Sequence, residues 1–539
     1  MAYVIAYDIG TTGVKTCIFE VEDEIRYVTG ESCGYHLYIG EHGEAEQDPD
    51  EWWEAMGQTT REALQTAGLL PQQIEALSFC SQMQGLVLVD REGKALRRAM
   101  SYMDQRARAE LAACMGGGLQ IAGGNARKVL TSLRINCATS TSVKDPVWKY
   151  KWVEAHEPEV FAKVHRWLDV KDYLVCRCTG NAVMTEDSAY ATLITDSRKG
   201  REGWSDRLCS LYGVHQEHLA PIIKVTDLAG YLTTQAAEEL GLAEGTPVFG
   251  GGGDASLIGV GAGCVHPGQT HIYSGTSGWV STVVAKQLVD PSYMIASPVG
   301  AISGCYNYFA EMETAGKCLE WVKDHLALDE IGVYLETKDV TSGYESEYTT
   351  LYDYMSDVIR DLPAGSNGLI FTPWLHGNRC PFEDPDAAGM FFGLRLETGK
   401  SLMIRAVVEG VCFHLRWMLE CQDKKTKTSE VLRFVGGGAL SDVTCQILAD
   451  ITGRRIETVD RPQNVGSVGA AAVCGVGLGI IDSIEKVGDF VRVSAVYEPD
   501  PAVRGVYDRN YKVFRTLYAS NRRAFRELHA SVDKTDADA

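Results

Sequence analysis

Two short glycine turns carry the residues best suited to hold phosphate. Residues 10–13 read Gly-Thr-Thr-Gly and residues 275–278 read Gly-Thr-Ser-Gly, and each turn joins an apolar run to a second β-rich run. Such a turn points backbone N–H groups and two hydroxyls towards one spot, which suits an anionic oxygen. A single turn is as well explained by a plain β-hairpin. Because the turn occurs in each half of the chain, we expect two similarly built domains whose turns could hold a polyphosphate between them.

The first turn does not have the spacing of a Walker loop, Gly-x-x-x-x-Gly-Lys-[Ser/Thr]. Val14 separates Gly13 from Lys15, and the residues that follow are apolar and β-branched, as in a strand, whereas a Walker loop opens a helix. The pattern therefore predicts two strands joined by a tight turn, with Asp8 at the end of the first strand.

A single carboxylate follows a run of four glycines. Residues 248–263 read VFGGGGDASLIGVGAG, in which an apolar strand leads into the glycines and then into Asp254. The glycines remove side chains around this carboxylate and leave room for a substrate. The alternative is that Asp254 only caps the helix-like stretch after it.

A third glycine element predicts a ligand-binding edge. Residues 432–456 read as a strand, the triplet 436–438, a helix with Ser441 as N-cap, and a second strand. Glycines at the carboxyl end of a strand would let a flat ligand approach the backbone, where α/β folds usually bind. An ordinary tight strand-to-helix turn would give the same pattern.

Composition and charge limit the classes of protein. The 539 residues are too many for one ordinary core, and 45% hydrophobic with 23% charged residues is typical of a soluble globular protein. No apolar run is long enough to span a membrane, and no secretory signal is visible. The net charge of −21 argues against a nucleic-acid or anionic-membrane surface. The 16 cysteines include no C-x-x-C pair, so we expect free thiols in a reducing cytoplasm.

The remaining pattern predicts an α/β body. Residues 48–68 read as a helix capped by Asp48, and residues 75–96 read as strand, polar turn and strand. An amphipathic helix over 504–528 ends the fold, and we expect 531–539 to fray.

With these elements in order, the sequence resembles the FGGY sugar and polyol kinases, members of the actin, Hsp70 and hexokinase-like superfamily, over residues 3–520. The segment DIGTTGVK, residues 8–15, looks like the family's first phosphate hairpin. Residues 145–159 approximate one family signature, although Lys144 and Ala155 depart from it. Residues 389–409 fit the other, although Leu402 replaces its usual polar residue. The positions that match it are Gly389, Phe391, Gly393, Leu394, Ala406 and Glu409.

The resemblance implies an α/β fold of two RNase H-like domains with an interdomain cleft. Residues 1–249 would form the N-terminal domain, with the sugar-binding side and the first phosphate hairpin. Residues 250–495 would form the C-terminal domain, with the catalytic aspartate and the adenosine side. Residues 496–539 would form a helical tail.

The resemblance also implies residue roles. Asp254 would be the general base that takes the proton of the acceptor hydroxyl during phosphoryl transfer. Asp8 would orient Mg²⁺ through water. The residues implied to contact ATP are Thr11, Thr12, Lys15, Thr276, Gly316, Glu320, Gly437, Gly438 and Asp442.

The acceptor pocket is expected around residues 81–85 and 101–107. Gln82, Met83 and Gln84 stand where xylulokinases carry Gln-Met-His and glycerol kinases carry an Arg-Glu pair. Tyr102 could stack on a sugar. Asp104 could accept hydroxyl protons, or it could simply pair with Arg106.

These residues favour a xylulokinase-like activity, ATP-dependent phosphorylation of a ketopentose such as D-xylulose. Ala255 departs from relatives, which usually carry Asn or Gln after the catalytic aspartate, so gluconate, another ketose or a polyol stays open as acceptor. A non-catalytic sugar or nucleotide sensor on the same fold is the rival of a different class. A chaperone or filament protein of the same superfamily would need a peptide-binding domain or a polymer interface. We expect small-molecule partners, no nucleic acid and no membrane, and the resemblance allows a homodimer.

Overall fold

The structure is a computed structural model that describes residues 2–326 and 351–535. Two large mixed sheets with helices on their faces form the body, as the α/β prediction requires. The helices are Pro49–Ala67 (α1), Arg108–Met115 (α2), Ala126–Asn136 (α3), Pro146–His156 (α4), Pro158–Phe161 (α5), Val170–Thr179 (α6), Glu186–Ala191 (α7), Asp206–Tyr212 (α8), Thr234–Leu240 (α9), Asp254–Gly261 (α10), Gly316–His325 (α11), Leu351–Val358 (α12), Lys400–Gln422 (α13), Asp442–Thr452 (α14), Val465–Gly477 (α15) and Pro501–Thr535 (α16).

The first sheet belongs to the N-terminal half. Its strands are Ala2–Ile9 (β1), Gly13–Val21 (β2), Ile25–Gly34 (β3), Ile74–Ser81 (β4), Leu228–Tyr231 (β5), Pro247–Phe249 (β6) and Gly252–Gly253 (β7). The order is β5-β6-β4-β1-β2-β3, and β7 also pairs with β4. β1, β2 and β3 form an antiparallel meander, while β4 and β6 continue the sheet in parallel.

The second sheet repeats this arrangement. Its strands are Thr270–Ser274 (β8), Gly278–Val284 (β9), Val289–Asp290 (β10), Ile295–Ala296 (β11), Tyr306–Met312 (β12), Val431–Val435 (β13), Arg455–Val459 (β14) and Val493–Tyr497 (β15). β12, β9 and β8 form the antiparallel meander, and β13 and β14 continue it in parallel. The two glycine turns therefore occupy the same place in two sheets of the same core topology.

Short strand pairs and one three-stranded ribbon lie outside the two large sheets. They are Tyr38–Ile39, Ala45–Gln47 and Ala99–Met100 in one ribbon, Val87–Val89 with Arg166–Leu168, Gln120–Ile121 with Gly124–Asn125, Met184–Thr185 with Ile222–Ile223, Thr195–Asp196 with Gly203–Trp204, and Ile370–Thr372 with Met390–Phe392.

Helices α10 and α15 lie between the two sheets. They cross closely, because a Cβ on Gly261 would come 1.9 Å from the Val465 oxygen and one on Gly469 would come 2.4 Å from the Leu257 oxygen. Their apolar residues join one buried cluster with strands β1 and β2. The predicted boundary between residues 249 and 250 falls just before β7, which still pairs with the first sheet, and it stays a prediction.

The start of helix α1 follows the sequence prediction, whereas the end of the chain does not. Helix α1 begins after Asp48, whose side chain accepts a hydrogen bond from the Asp50 N–H at 3.0 Å, as predicted. The expected frayed tail is wrong as far as Thr535, because no Gly or Pro interrupts the sequence and α16 continues through it. All 16 cysteines are free. In the part of the chain that the structure describes, no helix is long and apolar enough to cross a membrane.

Candidate active site

The first hairpin places a carboxylate beside an ammonium group. Asp8 and Lys15 are direct partners across β1 and β2, with the Gly-Thr-Thr-Gly turn beyond them. Burial raises the pKa of Asp8, while the charge of Lys15 opposes the shift. A Cβ on Gly466 would lie 2.8 Å from the Asp8 Oδ2, so the first turn of α15 closes over this carboxylate. Lys15 Nζ donates to Asn464 Oδ1 at 3.0 Å, which ties the hairpin to the C-terminal half.

The turn itself is held by a tyrosine that the sequence did not single out. The Tyr35 hydroxyl lies within hydrogen-bond distance of the Gly10 and Gly13 carbonyl oxygens, at 2.5 and 3.0 Å. Thr12 is exposed and Thr11 is half-buried, so both hydroxyl-bearing residues predicted to contact phosphate lie at the surface of the turn. The Gly10 N–H is used within the turn, where it donates to the Gly13 oxygen at 2.9 Å, whereas Thr11 and Thr12 stay accessible to a ligand.

The second turn meets two other glycine elements. Gly316, the first residue of α11, donates its N–H to the Gly275 oxygen at 2.7 Å, and a Cβ there would approach the same oxygen to 2.5 Å. A Cβ on Gly438 would lie 2.8 Å from the Ser274 Oγ. The structure therefore brings the exposed Thr276 together with Gly316 and Gly438, three residues predicted to bind nucleotide.

The other predicted nucleotide contacts lie around this point. Glu320 is exposed one helical turn after Gly316 on α11, and Gly437 is exposed with open space where a side chain would be. Asp442, the first residue of α14, pairs with Arg360 at 2.6 Å, and this contact lowers its pKa. Arg360 was not predicted, and it gives the Asp442 carboxylate a partner within the protein.

Asp254 is the first residue of α10, directly after the two-residue strand β7. Its Oδ1 accepts a hydrogen bond from the Ala255 N–H at 2.7 Å. The N-cap residue of α10 is Gly253 and no side chain caps this helix, so the capping alternative is wrong. Asn307 Nδ2 donates to the Ala255 oxygen at 2.8 Å. The contact with Ala255 is compatible with general-base chemistry, because it engages one carboxylate oxygen and the residue stays partly exposed.

The surroundings of Asp254 raise the pKa of its carboxyl group. Burial, followed by the charges of Glu311, Asp8 and Asp169, raises its pKa to about 7, against the Ala255 N–H, which lowers it. A carboxylate with a pKa near 7 can accept a proton at neutral pH more readily than an ordinary aspartate can. This is the tuning that a general base requires.

The predicted acceptor loop lies against the residue just before Asp254. A Cβ on Gly253 would come 2.2 Å from the Met83 Sδ, so Met83 packs on the residue just before Asp254. Gln84 has a positive φ of 63°, and its N–H donates to Asp169 Oδ2 at 2.9 Å. The buried Lys149 Nζ donates to the Gln84 oxygen at 2.8 Å. These two contacts hold the loop in its bent conformation.

A chain of amides links the acceptor loop to the first turn. Gln82 Nε2 donates to Gln47 Oε1 at 2.9 Å, and Gln47 Nε2 donates to the Thr11 oxygen at 2.7 Å. The Tyr102 hydroxyl lies 3.3 Å from Thr11 Oγ1, and its side chain is 37% exposed. Gln82, Met83, Gln84 and Tyr102 therefore gather beside the first hairpin and Asp254.

Asp104 pairs with Arg106, which was the alternative to a sugar contact in the sequence analysis. Its carboxylate is fully buried and pairs with the Arg106 guanidinium at 2.7 Å. The same Oδ2 accepts from the Ala45 N–H at 2.9 Å. A sugar contact of Asp104 stays a prediction, since both of its oxygens have partners in the protein.

Several residues of the site were missed from the sequence. Tyr35, Gln47, Asp169 and Asn464 each hold a predicted residue through a hydrogen bond. Only Asp169 leaves a sequence signal, because an aspartate before an apolar helix is a common N-cap, and it does cap α6. The other three act through tertiary contacts that spacing along the chain does not reveal.

The residues present suit a magnesium ion carried by a nucleotide. No group of three or more His, Cys, Asp or Glu able to hold a metal occurs within 2–326 and 351–535. Mg²⁺ is commonly held by one or two carboxylates, waters and substrate phosphates, so the single carboxylate of Asp8 beside the turn fits such an ion.

Two phosphate-type turns on repeated sheets, with a tuned carboxylate beside an acceptor loop, define a two-domain, nucleotide-dependent phosphotransferase. The chain belongs to the FGGY family of carbohydrate kinases. The family's N-terminal domain matches residues 3–261, and the family's C-terminal domain matches residues 271–478. It is an ATP-dependent carbohydrate kinase, and the predicted two-domain fold is confirmed.

Relatives that are named for different acceptors are about equally similar to this chain in sequence. The chain is 27% identical to the xylulose kinase of Bacillus subtilis (strain 168) over 522 residues, covering 96% of this chain and 97% of that protein. It is 27% identical to the gluconokinase of the same strain over 527 residues, covering 96% and 94%. The crystal structure of ligand-bound xylulose kinase from Lactobacillus acidophilus matches with a TM-score of 0.82 at 25% identity, covering 98% of this chain and all of that one.

Proposed function

We propose that this kinase transfers phosphate from Mg-ATP to a hydroxyl of an uncharged sugar or polyol, with a ketopentose such as D-xylulose as the first candidate. The observation that carries the proposal is the position of Asp254. It begins α10 with a raised pKa, between the acceptor loop at Met83 and the hairpin at Asp8.

The proposed mechanism uses three groups of this chain. Asp254 takes the proton of the acceptor hydroxyl as the new bond to phosphorus forms. The two turns bind the polyphosphate through N–H groups and the hydroxyls of Thr11, Thr12 and Thr276. Lys15 supplies positive charge to the phosphates. Mg²⁺, oriented through water by Asp8, would neutralise charge on the transferred group.

The charges around the base favour an uncharged acceptor. Asp8, Asp169 and Glu311 all act on Asp254 electrostatically. The cations next to the acceptor loop and the base already have partners. Lys149 donates to the Gln84 oxygen, and Arg379 pairs with Glu311. Arg379 offsets the charge of Glu311, so an acceptor carboxylate would face the Asp8 side with neither Lys149 nor Arg379 free to pair with it, and this disfavours its binding.

The acceptor loop supports a ketopentose over glycerol. Met83 and Gln84 are uncharged where glycerol kinases carry Arg and Glu, and amide groups can both donate to and accept from sugar hydroxyls. Ala255 supplies no side-chain hydrogen bond, so the sugar would have one hydroxyl fewer recognised beside the base. Gluconate, the substrate named for one relative, is the second candidate.

The test is ADP release with Mg-ATP on D-xylulose, D-ribulose, D-gluconate and glycerol, with Asp254→Asn beside the wild type. Turnover of a neutral sugar that the variant loses would support the proposal. Preferred turnover of gluconate would overturn the uncharged acceptor. Sugar binding measured by calorimetry, without turnover of any compound, would favour a sensor instead.

A further inference from the structure

A buried carboxylate outside the predicted site holds the residue just before the base. Asp187, on the short helix α7, is fully buried, and its Oδ2 accepts a hydrogen bond from the Gly253 N–H at 2.8 Å. Gly253 is the N-cap residue of α10, and Asp254 follows it as the first helical residue. Because the Asp187 carboxylate is fully buried, this hydrogen bond has no competition from water and fixes the backbone directly before Asp254.

Asp187 is itself held from the other side. The Thr185 hydroxyl donates to Asp187 Oδ1 at 2.5 Å, and Lys171 Nζ donates to Thr185 Oγ1 at 2.5 Å. Lys171 also pairs with Asp172 at 2.5 Å, and all four side chains are nearly inaccessible to solvent. Asp187, Thr185 and Lys171 are paired in sequence, while Asp172 keeps one buried oxygen, Oδ2, without a hydrogen-bond partner. Paired buried polar groups are rigid, because breaking a pair would cost free energy.

The opposite side of the same backbone is closed by packing. A Cβ on Gly252 would lie 3.1 Å from Asp187 Oδ2, and one on Gly253 would lie 2.2 Å from the Met83 Sδ. The two glycines are therefore clamped between the Asp187 network and the acceptor loop. Displacement of Gly253 would move the Asp254 carboxylate relative to a sugar held beside Met83.

We propose that Asp187, backed by Thr185 and Lys171, is a positioning residue that sets the direction of the Asp254 carboxylate towards the acceptor hydroxyl. Asp187 does not touch the substrate and acts only through the Gly253 N–H. The inference rests on the proposed function in one respect, the role of Asp254 as base. Asp187, Thr185 and Lys171 lie in the N-terminal half, and no sequence motif linked them to catalysis.

The test compares three variants with the wild type on the sugar that gives the highest turnover. Asp187→Ala removes the acceptor of the Gly253 N–H. A misplacement of about 1 Å can cost roughly 100-fold in rate, so we expect kcat to fall about 10- to 100-fold. Asp187→Asn keeps one oxygen for Gly253 and should recover most of kcat. Thr185→Val, which frees Asp187 Oδ1, should give an intermediate loss.

The control is Asp196→Ala, which breaks the ion pair with Arg198 in the same half of the chain but makes no contact with Gly253. We expect its kcat to equal that of the wild type. A purely structural role of Asp187 would lower the amount of folded protein without lowering kcat per ATP-binding site. The KM for ATP should therefore change less than about twofold in Asp187→Ala while kcat falls.

Hydrogen exchange gives a readout that needs no activity. In the wild type the amide of Gly253 should exchange slowly, and in Asp187→Ala peptides that cover 250–256 should exchange about tenfold faster or more. Unchanged exchange, or an unchanged kcat in a folded Asp187→Ala, would overturn the inference. A wild type that phosphorylates no sugar would overturn the proposed function instead, while the exchange experiment would still decide whether Asp187 holds Gly253.

Discussion

Replacing Asp254 with Asn should remove activity and, above neutral pH, stabilise the fold. Burial and three neighbouring carboxylates raise the Asp254 pKa from 3.8 to about 7. At about 1.4 kcal/mol per pKa unit, three units correspond to roughly 4 kcal/mol of free energy lost when the folded protein carries the charge. Solvent at this partly exposed residue screens part of that cost, so we expect Asp254→Asn to gain about 2 to 3 kcal/mol.

The gain should depend on pH in a defined direction. Between pH 3.8 and about 7 the folded protein keeps the Asp254 proton and the unfolded chain has lost it. The contribution of Asp254 to stability therefore falls as pH rises through this window and is constant above it. Because Asn does not titrate, the advantage of Asp254→Asn should grow up to about pH 7 and then stay level.

Urea unfolding of both proteins near pH 3.8, the lower end of this window, and at a pH above about 7 measures this difference. The control is Asp196→Asn, because Arg198 lowers the Asp196 pKa, and the variant should lose stability at neutral pH. In parallel, kcat of Asp254→Asn should fall about 10² to 10⁴-fold, the usual value of a general base. The wild-type rate should rise with pH up to about 7, where Asp254 loses its proton. A stability difference that is the same at both pH values, or a wild-type kcat in the variant, would refute the reasoning.

Three further changes test the nucleotide side. Lys15→Ala should weaken ATP binding about 10- to 100-fold in calorimetry, since it removes a hydrogen bond to a charged group worth about 1.5 to 3 kcal/mol, and Lys15→Arg should restore part of it. Gly316→Ala should raise the KM for ATP, because its Cβ would lie 2.5 Å from the Gly275 oxygen, whereas Gly505→Ala, with open space around it, should leave the KM unchanged. Tyr35→Phe should lower the free energy of unfolding by about 1 kcal/mol, because the Gly10 and Gly13 carbonyls lose their hydroxyl partner. The same loss should raise the KM for ATP a few-fold.

Each of these outcomes has a result that would count against it. Unchanged ATP affinity in Lys15→Ala would remove the first turn from the nucleotide site. A wild-type KM in a folded Gly316→Ala would mean that α11 does not set the second turn. A Tyr35→Phe protein with normal KM and normal melting would show that the first turn keeps its shape without the hydroxyl.

The sequence predicted the parts of the site that lie in single segments. Both glycine turns, the strand before Asp254 and the strand–glycine–helix at 432–456 follow from composition and spacing along a few residues. The sequence could not predict partners that come from distant segments. Asp187 lies 66 residues from Gly253, and Gln47 reaches the Thr11 oxygen across 36 residues. Asp104 shows the same limit, because the choice between a sugar and Arg106 depends on how its loop folds.

The two halves do not repeat each other completely, because two charged residues beside the first turn are replaced by uncharged residues beside the second. Counting from the first glycine of each turn, Tyr273 stands where Asp8 stands, and Val280 stands where Lys15 stands. The structure pairs Asp8 with Lys15 across the first hairpin, whereas the second hairpin pairs Tyr273 with Trp279, whose rings stack with centroids 4.0 Å apart. Among the strand residues that flank the two turns, the Asp–Lys pair is thus present at the first turn and replaced by an aromatic pair at the second. The second turn has a stacked aromatic pair and neighbouring glycines, so we predict that it contacts the nucleotide, while the first turn contacts the phosphate that is transferred.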